Sequence, residues 1–470
     1  MNLSHVAYTI RVLHKSDYVK GSTYHSYGLG YYRGMKVAIL GYGIEGKVSA
    51  DYWYKLGNEI TVCDENTDLK LPKKYKKKLG DDYLADLGQF DVLVRTAGLN
   101  SQKILSANAG ISDIQSKITT SYNEFMQKCP TKNTIGVTGT KGKGTTSTLI
   151  AKLLGVQGKT VHLGGNIGIA PLKMLPKIKK GDWVVLELSS FQLSDAKFSP
   201  HMGVCLMVVP EHLNWHEDMV DYTSAKTNLF THQKESDVAI YYGENNLSKK
   251  ITFASKGSKI PYFAPSGVFV KNDCIVSGYN HKEIIPVSKV KLLGVHNLQN
   301  ICAALTAVQE ATGSLDGSAA VLSSFKGLEH RLEFVRTLGG VKYYDDSFGT
   351  TPETAIVASQ SFASPKVIIL GGSDKGAFFE ELTNTVVTGN MRHVVAIGDT
   401  GPAIARLLRM KGYSSITEGL DTMTKIVKEA KMRAKKGDVV LLSTGCASFG
   451  LFEDYKDRGN QFKQAVKSLK

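Results

Sequence analysis

Residues 134–149 read Thr-Ile-Gly-Val-Thr-Gly-Thr-Lys-Gly-Lys-Gly-Thr-Thr-Ser-Thr-Leu. The β-branched run Thr134–Thr138 predicts a buried strand. It breaks into a glycine loop carrying Lys141 and Lys143, and a helix is expected to begin near Thr145. Strand, glycine loop and helix in that order aim backbone N–H groups and a helix N-terminus at one spot, which suits the phosphates of a nucleotide. Gly139, Thr140, Lys141, Gly142 and Gly144 then form the loop. Lys143 adds a point charge at the outer phosphates, and Thr145 or Thr146 supplies a hydroxyl for magnesium. Two departures from the usual phosphate loop stand out. Val137 occupies the place of the first glycine, and Gly144 follows the lysine where Ser or Thr is usual.

The regions on either side repeat the alternation of strand and helix. Downstream, Asp182–Leu188 predicts a strand with Glu187 at its end, where an acidic residue can hold Mg²⁺ directly or through water. A further strand, Met202–Val209, runs into Pro210–Asp218, which contains His212 and His216. These two histidines lack a third ligand at a recognised spacing, so zinc is disfavoured. Upstream, the strand Lys36–Leu40 leads into Gly41-Tyr42-Gly43-Ile44-Glu45-Gly46 and a helix to about Leu56; the next strand, Glu59–Cys63, ends at Asp64. That is a dinucleotide-type turn with its acidic partner. By itself it reads as an NAD site, or more weakly as a site for some other phosphate-bearing nucleotide. Beyond Gly327-Leu328-Glu329-His330-Arg331, strands are predicted at Val341–Asp345, Lys366–Leu370, Val394–Ile397 and Asp438–Ser443, with Thr351 and Pro352 opening a helix. Three consecutive α/β domains follow: Rossmann-like over 35–128, a P-loop-type ATPase over 129–327, and Rossmann-like over 328–470. Residues 1–34 form an extension outside the first domain.

Composition sets the remaining bounds. A chain of 470 residues exceeds one core. No run of 18 apolar residues occurs and the first 34 residues lack a signal-peptide core, so neither membrane insertion nor export is expected. Six scattered cysteines without a CxxC pair fit a reduced, cytoplasmic protein. The net charge of +15 includes the run Lys73-Lys74-Tyr75-Lys76-Lys77-Lys78. Nucleic-acid binding is the sharper reading of that run. A solvated loop is the plainer one, and the scarcity of interleaved aromatics favours it.

Together the motifs resemble the Mur ligase family, ATP-dependent enzymes that add amino acids to peptidoglycan precursors. The resemblance rests on Gly139–Lys143, Leu186–Leu193, Gly294-Val295-His296-Asn297, Gly327–Arg331 and Asp345-Asp346-Ser347, and it covers residues 35–470. Leu442–Phe452 with Arg458-Gly459-Asn460-Gln461-Phe462, and the Leu-Ser-Ser-Phe-Gln-Leu run, resemble most the branch that joins D-glutamate to a UDP-muramoyl-L-alanine acceptor. The resemblance implies ATP, two Mg²⁺ ions and an acyl-phosphate intermediate. It implies catalytic roles for Lys143, Glu187, His212 and Lys226, with Thr145, Glu187, His212 and Lys226 (as a carbamate) at the metals. Asn297, Arg331 and Asp346 would contact ATP. The Gly41–Gly46 turn, Asp64 and Asn166 would hold the UDP substrate, which replaces the NAD reading. Thr350, Lys375, Ser448 and Tyr455 would receive the amino acid. A monomer acting on small molecules, with its domains closing around them, is the expected form. Where this branch usually has Lys-Ala after Asp-Ser, the chain has Phe348-Gly349, and it has Tyr455 where Phe is common. L-Glutamate or another UDP-muramoyl acceptor therefore stays open, and a non-catalytic nucleotide-binding protein is the rival from a different class.

Overall fold

The computed structural model describes residues 33–470 apart from 213, 214, 293 and 375. The expected extension 1–34 therefore lies outside the described residues except for its last two, and so does Lys375. Each of three successive stretches forms its own sheet. In the first, the strands run Lys76–Leu79, Glu59–Asp64, Lys36–Leu40, Val92–Arg95 and Ile118–Thr120 in spatial order, all parallel. The second runs Ser258–Tyr262, Val238–Tyr242, Met202–Cys205, Thr134–Thr138, Trp183–Glu187 and Val161–Gly165, again parallel throughout. The third runs Glu333–Leu338, Val341–Asp345, Val439–Leu442, Lys366–Leu370, Met391–Ala396 and Ile416–Thr417, with only its first strand antiparallel.

Parallel sheets need both faces covered, and the apolar strand residues show why they are. Every residue of Thr134–Thr138 is buried. On one face Val137 joins Leu149, Ile150, Leu153 and Leu154 of the helix Lys143–Val156 and Ile301–Leu305 of the helix Val295–Thr312. The other face packs Val184 and Leu186 against Leu229 and Phe230 of the helix Met219–Thr231. The phosphate-loop strand thus sits mid-sheet, where neighbouring connections diverge to opposite sides. That is where open α/β sheets place ligands.

Three expectations need correction. Only the first half of the lysine run, 73–75, is a turn; its second half belongs to Lys76–Leu79, the edge strand of the first sheet. Lys76 pairs with Glu59 at 2.8 Å, while Lys74 pairs with Asp51 at 2.8 Å and lies over the rings of Tyr54 and Tyr75. Charged residues on an open edge discourage pairing with another chain. The strand from Met202 stops at Cys205 rather than Val209. Backbone bonds to the phosphate-loop segment persist through Leu206 and Met207, and side chains take over after them: Val208 N donates to Asn245 Oδ1 (3.2 Å) and Val209 N to Thr140 Oγ1 (3.0 Å). A small antiparallel sheet, Val268–Lys271, Cys274–Ser277 and Glu283–Pro286, lies in a region where no strands were predicted.

Candidate active site

The helix after the phosphate loop begins at Lys143, two residues earlier than predicted, with Gly142 as its N-cap at φ 86. No side chain caps it, so its first N–H groups are free to meet an anion. The left-handed backbone at Gly142 favours glycine, and a Cβ there would lie 2.2 Å from Asn300 Oδ1 and force that amide to move. The Lys143 ammonium donates to the carbonyls of Gly139 (3.1 Å) and Thr140 (2.8 Å).

Lys226 donates to the same Gly139 carbonyl, at 2.9 Å, from the helix Met219–Thr231. It is 1% exposed and has no carboxylate partner among the described residues. Burial, reinforced by the nearby Lys143 charge, pulls its pKa down to about 7. Lys143 is also lowered by burial, with Glu187 and Glu211 acting in the opposite sense. Two buried amines sharing one carbonyl make a site deficient in negative charge.

Glu187 ends its strand 3% exposed. Its Oε1 accepts from Asn166 Nδ2 at 3.0 Å, and the Asn166 backbone N–H donates to the Glu187 carbonyl at 2.8 Å. Asn166 therefore orients Glu187, whatever it does beside a substrate. Glu187 Oε2 is buried with no partner among the described residues. The Gly144 position faces that oxygen: a Cβ there would sit 3.0 Å from Oε2 and 3.1 Å from both Ile167 Cδ1 and Leu328 Cδ1. Glycine after the lysine thus accommodates the carboxylate. Thr146 Oγ1 is buried and unpartnered, while Thr145 is half-buried. An orphaned carboxylate oxygen at the end of the strand that pairs with the phosphate-loop strand is a ligand suited to a hard divalent cation.

His212 and His216 separate in role. His216 is buried, with Nδ1 on Asp221 Oδ2 (2.8 Å) and Nε2 on Ser190 Oγ (2.9 Å). Both ring nitrogens are engaged, so the two histidines are not a zinc pair. His212 is more open, adopts φ 60 and packs against Phe191 with the rings tilted at 57° and their centroids 4.8 Å apart. Glu211 beside it forms an ion pair with Lys141.

From the C-terminal unit, Arg331 and Asp346 reach the same region. Asp346 accepts from Leu332 N (3.1 Å) and Ser443 Oγ (2.7 Å), and burial pushes its pKa up to about 7. Asn297 Oδ1 accepts from Asn300 Nδ2 at 3.1 Å. Ser448 is buried, Tyr455 half-buried and Thr350 exposed. Arg458, 0% exposed, ties their loops together: Nε donates to Ser347 Oγ (2.8 Å), Nη2 to Ser347 O (2.8 Å) and Nη1 to Cys446 O (3.0 Å). In the N-terminal unit, Asp64 Oδ2 accepts from Tyr42 N at 2.7 Å, fixing the Gly41–Gly46 turn, and Glu45 accepts from Ala97 N at 3.1 Å. Ile44 stands 81% exposed at the mouth of that turn.

Comparison with known proteins follows the same division of the chain. The Mur ligase middle domain matches residues 137–308, and the Mur ligase glutamate ligase domain matches residues 330–446. A UDP-N-acetylmuramoylalanine–D-glutamate ligase of Clostridium tetani is 34% identical over 450 residues, 92% of this chain and 97% of the relative. The enzyme of that name from Acetivibrio thermocellus is 36% identical over 457 residues, 92% of this chain and 96% of its own. The chain belongs to the Mur ligase family. Two solved Mur ligases of Thermotoga maritima share its three-domain α/β fold. One is MurF in complex with ADP (TM-score 0.57, 19% identity, 94% of this chain and 97% of that one). The other is UDP-N-acetylmuramate–alanine ligase (TM-score 0.58, 16% identity, 93% and 100%).

In this Mur ligase the sequence reading missed several supporting residues. Arg95 is the largest omission. It is 1% exposed, with Nε 2.5 Å from Asp195 Oδ2, Nη2 on Phe191 O (2.9 Å) and Ser194 Oγ (3.0 Å), and Nη1 on Leu99 O (2.8 Å). It pins the first sheet's unit to the loop after Glu187. A lone Arg at a strand end carries no local signal of such a contact. Asn300 was readable as the residue one turn beyond Asn297 on the same helix face.

Proposed function

We propose that this Mur ligase joins D-glutamate to UDP-N-acetylmuramoyl-L-alanine at the expense of ATP. The observation that carries the reading is the convergence of Lys143, Lys226 and the orphaned Glu187 oxygen at the carboxyl end of one sheet. The division into 35–128, 129–327 and 328–470 as UDP-substrate, ATP and amino-acid domains is part of the proposal, supported by one parallel-rich sheet in each.

A free carboxylate is unreactive towards an amine, so it is first phosphorylated by the ATP γ-phosphate to an acyl phosphate. The glutamate amine then attacks the acyl carbon, loses a proton, and phosphate leaves from the tetrahedral intermediate. Bringing carboxylate to phosphate sets anion against anion, so fixed positive charge governs the rate. Lys143 and the first N–H groups of its helix cradle the phosphates, and Arg331 adds charge from the C-terminal side. Glu187, oriented by Asn166, and Thr145 would hold Mg²⁺, which when bound neutralises phosphate charge. His212 would hold a second ion together with Lys226 as a carbamate. An amine with its pKa near 7 is substantially uncharged at neutral pH, the form that adds CO₂. The product is an anion beside Lys143, in place of a second cation. Thr350 and Ser448, near the loops tied by Arg458, Tyr455 at the start of the helix Tyr455–Ser468, and Lys375 receive the glutamate. The Gly41–Gly46 turn holds the uridine diphosphate.

The test is phosphate release from ATP with UDP-N-acetylmuramoyl-L-alanine and D-glutamate, L-glutamate or no amino acid. Release dependent on D-glutamate is expected. Release with L-glutamate alone would move the specificity to that enantiomer while leaving the ligase chemistry in place. Release with neither would sink the assigned acceptor.

A further inference from the structure

The turn bearing Arg331 is fastened to the loop bearing Phe348 at four points. His330 Nδ1 lies 2.7 Å from Asp345 Oδ2, Leu332 N donates to Asp346 Oδ1 at 3.1 Å, and Phe348 N donates to His330 O at 2.9 Å. The fourth is the side chain itself: the Arg331 guanidinium carbon stands 3.7 Å from the centroid of the Phe348 ring. Both neighbours of Arg331 adopt left-handed backbone, His330 at φ 62 and Leu332 at φ 46. Strain of that kind persists only where surrounding contacts enforce it. The Phe348 ring is held in turn by Tyr455, edge to face at 5.1 Å and 82°, and Tyr455 also meets His330 at 6.0 Å.

A guanidinium stacked on a ring uses its π face and keeps its five N–H donors at its edge. Among the described residues no protein acceptor is hydrogen-bonded to those donors and no carboxylate pairs with them. Arg331 is thus aimed but chemically unspent. A phosphoryl group meeting that edge satisfies the donors in the bidentate manner that favours arginine over lysine.

We propose that Phe348 is a positioning residue for the nucleotide, its ring setting the Arg331 guanidinium edge-on to the ATP phosphoryl oxygens. This rests on the reading that Arg331 contacts ATP. It reassigns the departure at Phe348. The branch's usual lysine at that place offers a point charge of its own, whereas here the ring steers a charge supplied by Arg331. Phe348 then acts on the nucleotide side of the reaction, not on the choice of amino acid.

Steady-state kinetics of the full chain test this, with ATP and glutamate varied separately. A cation–π contact of about 0.5–2 kcal/mol corresponds to roughly 2- to 30-fold. Phe348→Ala should lower kcat/KM for ATP by that factor and leave KM for glutamate unchanged. Phe348→Tyr should retain wild-type values. Phe348→Leu, which keeps apolar volume without a π face, should behave like Phe348→Ala and substitutes for it should the alanine variant not fold. Arg331→Lys should lose at least as much, and the double variant should be no worse than Arg331→Lys alone. A change confined to KM for glutamate would overturn the proposal. So would normal ATP kinetics in Phe348→Leu alongside an impaired Arg331→Lys. An Arg331→Lys enzyme with normal ATP kinetics would instead overturn the underlying assignment of Arg331.

Discussion

Replacing Lys226 by methionine should stabilise the central unit while abolishing ligation. The ammonium is buried beside Lys143 with only a carbonyl and the Tyr222 ring, 4.5 Å away, for company. Its pKa falls from 10.5 to about 7. In the folded protein the group releases its proton near pH 7, whereas the unfolded chain holds it to about 10.5. Below pH 7 both states are protonated and the full penalty applies, about 5 kcal/mol from that gap. Between pH 7 and 10.5 the unfolded state binds more protons, so wild-type stability rises with pH; at pH 8 about 3 kcal/mol of penalty remains. Methionine removes the charge at nearly constant volume but loses one hydrogen bond and a cation–π contact, about 1–2 kcal/mol together. The expected net gain is about 3–4 kcal/mol at pH 6 and about 1–2 kcal/mol at pH 8. Native-state hydrogen exchange of the helix Met219–Thr231 reads the central unit without averaging over the other two. The measurement is made in CO₂-free buffer at both pH values. Equal protection of wild type and variant at pH 6, with equal pH dependence, would refute the reasoning. Added bicarbonate at pH 8 should then stabilise wild type alone, since only the lysine can form a carbamate.

Three further outcomes are expected. Glu187→Gln should cut phosphate release about a hundredfold or more, because the carboxylate proposed to hold Mg²⁺ at the reacting phosphate is lost; its melting temperature should hold or rise, since Oε2 has no partner among the described residues. Gly144→Ser, although it restores the more usual residue, should lower turnover rather than raise it, because its Cβ presses on Glu187 Oε2, Ile167 and Leu328 at 3.0–3.1 Å. Melts paired with ATP kinetics check this. Asp346 retains a proton up to about pH 7 in the folded protein but loses it near 3.8 when unfolded. Its contribution is thus present below pH 4 and lost as pH rises to 7, so Asp346→Asn should flatten that part of the stability profile in melts at pH 4, 5.5 and 8.

Much of the architecture was legible because the deciding strands are apolar on both faces and end in glycine. Thr134–Thr138, Lys36–Leu40 and Lys366–Leu370 fall where the pattern puts them. The lysine-rich edge strand was not legible, because an edge is stabilised by its solvated charges and carries no apolar alternation. Nor was the antiparallel sheet at 268–286, whose strands are four residues each. At the site, motif residues could be named but not their mutual orientation. Asn166 on Glu187, Arg458 on Ser347 and Arg95 on Asp195 are contacts between residues 21, 111 and 100 positions apart. Only the folded chain brings such groups together.

The arrangement also decides between ligation and mere nucleotide binding. A protein that only binds a nucleotide is served by Lys143 and the free helix N-terminus. It gains nothing from Lys226, whose ammonium lies beneath the loop, spends its hydrogen bond on Gly139 and destabilises the fold at neutral pH. Nor does binding call for Glu187 Oε2 to be kept buried without a partner. Each group is unfavourable in the unliganded protein, and on the proposed mechanism each would become favourable once its charge is matched, by a cation at Glu187 and by conversion of Lys226 to a carbamate anion. Unfavourable buried charge held in place by an otherwise well-satisfied scaffold is expected of a catalytic centre, where the same electrostatic mismatch is relieved as the reaction's charge develops. An inactive Lys226→Met enzyme that still binds ATP with near wild-type affinity would separate the two roles, because on the proposed mechanism only ligation depends on a carbamate anion at Lys226.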